Sequence, residues 1–399
     1  MTISALERCV GDVRRFADEH WGRAPLLHRA GAAAFDGLLD IGDVDRLVTE
    51  TLLRTPAFRL VRDGTPLDPK SYTQTIRVGG GAVEGTVRPD RVLDEFAEGA
   101  TIVLQALHRQ RGPVARFCRE LELDLTHPVQ ANAYITPPTA KGFSVHHDTH
   151  DVFVVQTEGH KSWRVYRPLI PLAGASQPWK SSLGDPGDPI LEAELGPGDS
   201  LYLPRGFPHD AEAREEVSIH VTVGILSFTW LDLWRDVMRR APDEERFREP
   251  LPVRFADHPP ELDAEIEVRR KELQSWFEGA ATGDAVERFA EGFWSNRRPL
   301  VRGGLEAVWS PDRLDGETRL RRRPESVFRV KPAGDLVRVI LGRREVRMPA
   351  YCEPALRRIA AGDAFAVADL PGLADEASRV VLVRRLVREG ALEVVRDAG

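Results

Sequence analysis

The chain is poor in cysteine, methionine and tyrosine: three, three and five among 399 residues. Cys9, Cys118 and Cys352 stand far apart and form no CxxC pair, which fits a reducing cytoplasm better than a disulfide framework. No run of 18 or more apolar residues occurs, which removes a transmembrane helix from consideration. A surplus of positive charge is also missing. The formal net charge of −7 argues against a nucleic-acid binder that works through a broad basic footprint. The one dense basic run, Arg319–Arg323, reads as a solvated linker face. The opening MTISALERCVGDVRRFADEHWG lacks the apolar stretch of a signal peptide, so a reducing cytoplasm is the expected setting.

What is present is an ordinary globular balance, 42% apolar and 29% charged, in a chain long enough for two or three cores. Residues 4–20 and 43–54 read as amphipathic helices. Short β-like runs then follow one another, separated by Gly, Pro and Asp: TIVLQAL, ANAYIT, VFVVQT, SWRVYRP, DSLYLP and VSIHVTVGIL. That spacing predicts a sandwich or barrel rather than alternating strand–helix units. Past residue 229 the apolar period lengthens to that of helices, with the proline-rich PLPVRFADHPPELD between two helical stretches. The last part predicts a hairpin in RVILGRREVRMPA, helices in PALRRIAAG and SRVVLVRRLVREG, and a closing strand in ALEVV, the pattern of a winged-helix module. The expected division is therefore 1–228, 229–318 and 319–399: an all-β core with N-terminal helices, an α-helical region, and a small winged-helix-like module.

The chemistry concentrates in KGFSVHHDTHDVFVVQTEGHKSWRVY and GPGDSLYLPRGFPHDA. If the HxD segment is extended, His146 and Asp148 project from one face and converge on a point. His209 returns from a later strand to complete two imidazoles and one carboxylate. That donor set leaves open coordination positions and suits non-haem Fe(II), whereas three histidines or cysteines would favour zinc. On spacing alone His150, also two residues from Asp148, competes with His146.

The stretch from Asn132 to Gly224 resembles the JmjC-type cupin hydroxylases, in particular the ribosomal oxygenases and their bacterial relatives. The resemblance is carried by Asn132-Ala133-Tyr134-Ile135-Thr136-Pro137, by His146-His147-Asp148, and by Phe153 through Gln156 with Gly159, Lys161 and Trp163 to Tyr166. Gly198 through His209 and His220-Val221-Thr222 continue it. Residues 19–30, EHWGRAPLLHRA, are similar to the family's opening segment. Counting back from Phe153 puts the family's first ligand on His146. The resemblance implies a double-stranded β-helix that holds Fe(II) through His146, Asp148 and His209 and hydroxylates a substrate with O₂ and 2-oxoglutarate.

It further implies that Lys161 pairs with the distal carboxylate of 2-oxoglutarate, and that Asn132, Tyr134 and Thr222 lie at the cofactor. A strand-surface lysine, a core tyrosine and an ordinary strand threonine are the plainer readings of three of these. His220 reads as a supporting or core histidine. The implied partners are a protein substrate, plausible in a ribosomal protein, and a second copy of the chain, with no membrane or direct nucleic-acid contact. Three other functions fit the same motifs: hydroxylation of a small molecule or natural-product peptide, demethylation of N-methyl-lysine, and a non-enzymatic cupin sensor with the C-terminal module as output.

Overall fold

A computed structural model describes residues 3–138, 140–257, 262–279, 282–301, 304–309 and 314–395. The His258–Glu261 part of the proline-rich stretch lies outside these residues. The chain separates into two compact units, Met1–Ser227 and Phe228–Gly399.

The first unit holds fourteen strands among its described residues: β1 (Leu26–Arg29), β2 (Phe58–Arg62), β3 (Thr65–Pro66), β4 (Thr73–Val78), β5 (Gly81–Val87), β6 (Thr101–Leu104), β7 (Val129–Thr136), β8 (Lys141–His146), β9 (Asp151–Glu158), β10 (Lys161–Tyr166), β11 (Pro189–Leu195), β12 (Asp199–Leu203), β13 (His209–Ala213) and β14 (Ser218–Ile225). They form a large sheet in the order β1-β12-β9-β14-β7-β6-β2-β3, a smaller one in the order β11-β10-β13-β8, and the separate hairpin β4-β5. From β8 to β14 the chain passes back and forth between the two larger sheets, with only the β10–β11 pair staying in one of them, the winding of a double-stranded β-helix.

Period-two alternation sorts each strand of the large sheet into two jobs. Phe153 and Val155 of β9, Ala131, Ala133 and Ile135 of β7, and Val221 and Val223 of β14 point to an outer core. That core is closed by the helices Ala5–Val10 and Gly112–Leu125. The intervening Val152 and Val154 point inward, toward Trp163 and Val165 of the small sheet. Strands covered on both faces have little use for surface polarity, so β9 and β14 read as almost unbroken apolar runs. The helix Gly112–Leu125 and the strands β8 and β11 were not apparent from sequence.

In the second unit, helices Trp230–Met238, Asp263–Gly279 and Thr282–Ser295 precede six strands. These are β15 (Arg319–Arg322), β16 (Arg329–Ala333), β17 (Leu336–Ile340), β18 (Glu345–Pro349), β19 (Phe365–Ala366) and β20 (Leu392–Val394). β15 pairs with both β19 and β20 in one three-stranded sheet, and β16-β17-β18 form an antiparallel meander. Helices Glu353–Ala360 and Glu376–Arg388 cover a core containing Leu320, Val337, Leu356 and Leu386.

The Arg319–Arg323 run is not a linker face. It is strand β15: Leu320 is wholly buried, and Arg321 and Arg323 pair with Glu393 of the neighbouring strand. Cross-strand carboxylates, rather than solvent alone, neutralise this run.

Candidate metal and co-substrate site

His146 is the last residue of β8 and His209 the first of β13, and the two are antiparallel partners in register. Their ring centroids lie 4.6 Å apart. Asp148 is not on a strand: it occupies the connection between β8 and β9, so convergence comes from a turn and not from a shared strand face. Its Oδ2 is 3.9 Å from Nε2 of His209. Ligand atoms of His146, Asp148 and His209 all fall within 4.8 Å of one another, the one such group of three among the described residues.

The backbone selects the imidazole tautomers. Nδ1 of His146 lies 2.8 Å from the Ser144 carbonyl oxygen, and Nδ1 of His209 lies 3.0 Å from that of Phe207. A carbonyl only accepts, so both Nδ1 atoms carry the proton and both Nε2 atoms present a lone pair. Burial, reinforced by the neighbouring His146, pushes the pKa of His209 down to about 4, so this ring is neutral at pH 7. Two imidazoles whose Nδ1 atoms are tied to carbonyls, beside one carboxylate, have the chemistry of a divalent-metal site with positions left open.

The same bend settles the competing histidines. The His150 ring packs against the Gly224 backbone, where an added Cβ would come within 2.5 Å of it. His147 is buried edge-on to Trp179, with Nε2 3.1 Å from the Gln177 carbonyl oxygen. His160 binds Glu216 at the surface, 2.6 Å away. None of these rings joins the cluster.

The three ligands open into a cavity of about 240 Å³, lined by Val152, Val154, Trp163 and Ala211 and by the polar groups Arg59, Tyr134, Lys161, Asp210, His220 and Thr222. Lys161 opens β10 opposite Ala213, while His209 pairs with Val165, four residues along the same ladder. At about 3.3 Å per residue the backbone positions are roughly 13 Å apart. The turn that delivers Lys161 depends on Gln156, whose Nε2 donates to the carbonyls of Glu158 and Gly159 and to the Ser218 hydroxyl. Gly159 has φ 61°, and a Cβ there would meet the Val217 carbonyl oxygen at 2.1 Å. The spacing Gln-x-x-Gly-x-Lys thus meets the needs of this turn and of its packing on Val217 and Ser218.

Lys161 is 2% exposed, and its Nζ donates to the Thr136 hydroxyl at 2.9 Å. Burial alone pushes its pKa down to about 7. A cation held by one neutral hydroxyl is costly to bury and is strongly relieved by an incoming carboxylate. This side chain therefore fits the remote carboxylate of a short diacid.

Tyr134 and His220 are cross-strand partners and stack at 5.0 Å, with 9° between their planes. Register puts Arg59, Val103, Tyr134, His220 and Gln156 in a single row across five strands. Arg59 reaches past Val103 to the Tyr134 hydroxyl and counters the rise in its pKa, which burial and then Asp148 push up to about 12. Sequence reading missed Arg59, because nothing local to Phe58–Arg62 ties it to a strand some 70 residues later. Thr222 lines the cavity. Asn132 shares the strand face of Tyr134 but is not among the lining residues. Its Oδ1 accepts a hydrogen bond from the Ala106 N–H, 3.0 Å away, where the backbone is left-handed at φ 51°.

Residues 106–233, which include the three ligand residues and Lys161, match the JmjC domain. The chain is 36% identical over 212 residues to ribosomal oxygenase 1 of Gallus gallus, spanning 52% of this chain and 34% of that protein. To the human ribosomal oxygenase 1 it is 33% identical over 253 residues, 60% of this chain and 37% of that one. The bifunctional lysine-specific demethylase and histidyl-hydroxylase NO66 of Dictyostelium discoideum is 29% identical over 351 residues, 82% and 66% of the two chains. The chain thus spans about a third of the length of the ribosomal oxygenases it matches. The Escherichia coli ribosomal oxygenase YcfD shares the fold with a TM-score of 0.58 at 20% identity, over 97% of this chain and 99% of that one. Residues 106–233 are thus similar to JmjC domains, and the first part of the chain is similar to ribosomal oxygenases.

Proposed function

We propose that this protein is an Fe(II)- and 2-oxoglutarate-dependent oxygenase that hydroxylates a side chain of a ribosomal protein. The observation that carries the reading is one cavity with opposite charge requirements: an open His–Asp–His cluster and the buried Lys161. His146, Asp148 and His209 hold the metal. Lys161 and the Thr136 hydroxyl take the distal carboxylate of the co-substrate. Iron with 2-oxoglutarate and O₂ supplies the oxidising power that turns a C–H into a C–OH as the keto acid becomes succinate and CO₂.

The chain's own groups do the positioning. Backbone carbonyls of Ser144 and Phe207 keep both imidazoles in the ligating tautomer. Val152, Val154 and Trp163 keep the cavity wall dry, which strengthens the Lys161–carboxylate attraction. Tyr134, stacked on His220 and tied to Arg59, offers a hydroxyl at the substrate side. The ribosomal substrate is favoured by the relatives named ribosomal oxygenases. A structure of YcfD is described in complex with cobalt and 2-oxoglutarate. Succinate release from 2-oxoglutarate with Fe(II), together with mass spectrometry of ribosomal proteins from cells with and without the gene, tests both parts. One ribosomal peptide heavier by a single oxygen is the expected result.

The chain works as a homodimer through its helical region, 229–318, followed by a winged-helix-like module, 319–399. Support comes from the helix Trp230–Met238, where Trp230 is 75% exposed, stacked on Trp234 at 6.4 Å, with Leu231 also exposed. Such apolar exposure favours a protein partner. No described helix is long and apolar enough to cross a membrane. The buried, unpaired Cys9, Cys118 and Cys352 suit a reducing cytoplasm.

A further inference from the structure

We infer that Asp151, which is not a ligand, is the positioning residue that holds the two metal-bearing connections at their working separation. Two loops must agree for the cluster to exist: the β8–β9 connection with Asp148, and the β12–β13 connection that leads into His209. Asp151 opens β9 directly after the first and is 2% exposed. Its carboxylate reaches across to the second. Oδ1 accepts from the Arg205 N–H at 3.0 Å and from the Tyr202 hydroxyl at 3.4 Å. Oδ2 accepts from the Ser227 hydroxyl and lies 3.6 Å from the Arg205 guanidinium.

Arg205 is followed at once by the residues that touch the ligands. The Gly206 N–H donates to the Asp148 carbonyl at 3.0 Å, and the Phe207 carbonyl fixes the His209 ring. Gly206 sits at φ 89°, with the Ile170 carbonyl oxygen 2.2 Å from where a Cβ would be, so the loop has no alternative path on that side. A second anchor ties the Arg205 side chain itself: its Nε donates to the Leu172 carbonyl at 3.2 Å. Every donor around Asp151 points inward, so an ionised carboxylate satisfies the pocket and a carboxamide would set an NH₂ group against other donors. The side chain thus acts through Arg205 and Gly206 on the Asp148–His209 spacing.

This inference rests on the metal-site reading, and Co(II) titration followed by its visible absorption separates the two. If the unaltered chain fails to bind Co(II), the metal reading fails and the role of Asp151 falls with it. If it binds, Asp151→Asn should weaken Co(II) by roughly 10–100-fold, the usual effect of disturbing groups that orient metal ligands, and alter the Co(II) spectrum. Val223→Ala, in the outer core, provides a variant of comparable thermal destabilisation and should change the Co(II) affinity less than about threefold. Unchanged affinity in Asp151→Asn, or a loss matched by Val223→Ala at equal Tm, overturns the inference. Should Asp151→Asn not fold, Arg205→Ala removes the guanidinium contact and keeps the backbone N–H. A fall of roughly three- to tenfold is then expected, and no fall overturns it.

Discussion

The two ends of the cavity are electrostatic opposites. At one end a carboxylate and two imidazoles aim their lone pairs at one point. At the other a single ammonium is buried against one hydroxyl. The first end is assembled from two loops and tolerates partial exposure, because His146 and Asp148 need only aim. The second end lies on a regular strand and is sealed, because the value of Lys161 depends on a low local dielectric. The difference shows how a shallow cavity acquires direction: a ligand with a metal-binding keto acid at one end and a carboxylate at the other fits only one way round.

Breaking the metal end has the largest expected effect. His209→Ala or Asp148→Ala should weaken Co(II) or Fe(II) binding by at least about 100-fold and abolish succinate formation, measured by metal titration and by product assay. Lys161→Met comes next. It should lower 2-oxoglutarate affinity on the order of 100-fold, the scale of removing one partner from a buried charge pair, and leave Co(II) affinity within about threefold. The same change should raise the Tm of the ligand-free chain by roughly 2–4 °C, since an apolar side chain replaces a poorly compensated charge.

The pKa of about 7 on Lys161 sharpens the contrast further. That value lies below the ordinary one, so between the two the unfolded chain binds the extra proton. Ligand-free stability should therefore rise with pH from about 7 toward 10, and on acidification it should fall over that window and level off below about 7. Binding of a dicarboxylate needs the ammonium, so 2-oxoglutarate affinity should move the opposite way, weakening by up to about tenfold per pH unit above 7 until the pKa of the bound state is reached. Calorimetric titrations across pH 6–9 check both signs. The smallest effect on chemistry belongs to Trp230→Asp. It should convert a dimer to a monomer by light scattering and leave Co(II) binding unchanged.

Much of the cavity was legible before any coordinates, for identifiable reasons. Gln156, Gly159 and Lys161 fall within six residues of one another, and His209 follows a strand with a distinct Gly-Asp start. The runs VFVVQT and VSIHVTVGIL read as strands and form β9 and β14. What stayed hidden depended on long-range register. Arg59 enters the site through two strand pairings that no local pattern specifies. Asn132 was expected at the cofactor, yet its acceptor is taken by an N–H that lies 26 residues away in sequence. The Asp148 turn was mistaken for extended strand, because HxD alternation looks the same in either conformation until the bend at Thr149 and His150 is known. Strand β15 was masked by its arginines, of which Arg321 finds its partner in Glu393, 72 residues distant.

That one molecule bridges both ends is tested most directly by titrating 2-oxoglutarate into the chain with and without Co(II), alongside glutarate, which lacks the keto oxygen. With Co(II) present, 2-oxoglutarate should bind at least about tenfold tighter than without it, and glutarate should show little dependence on the metal. Equal 2-oxoglutarate affinity with and without Co(II) would mean that the two ends do not serve a single ligand.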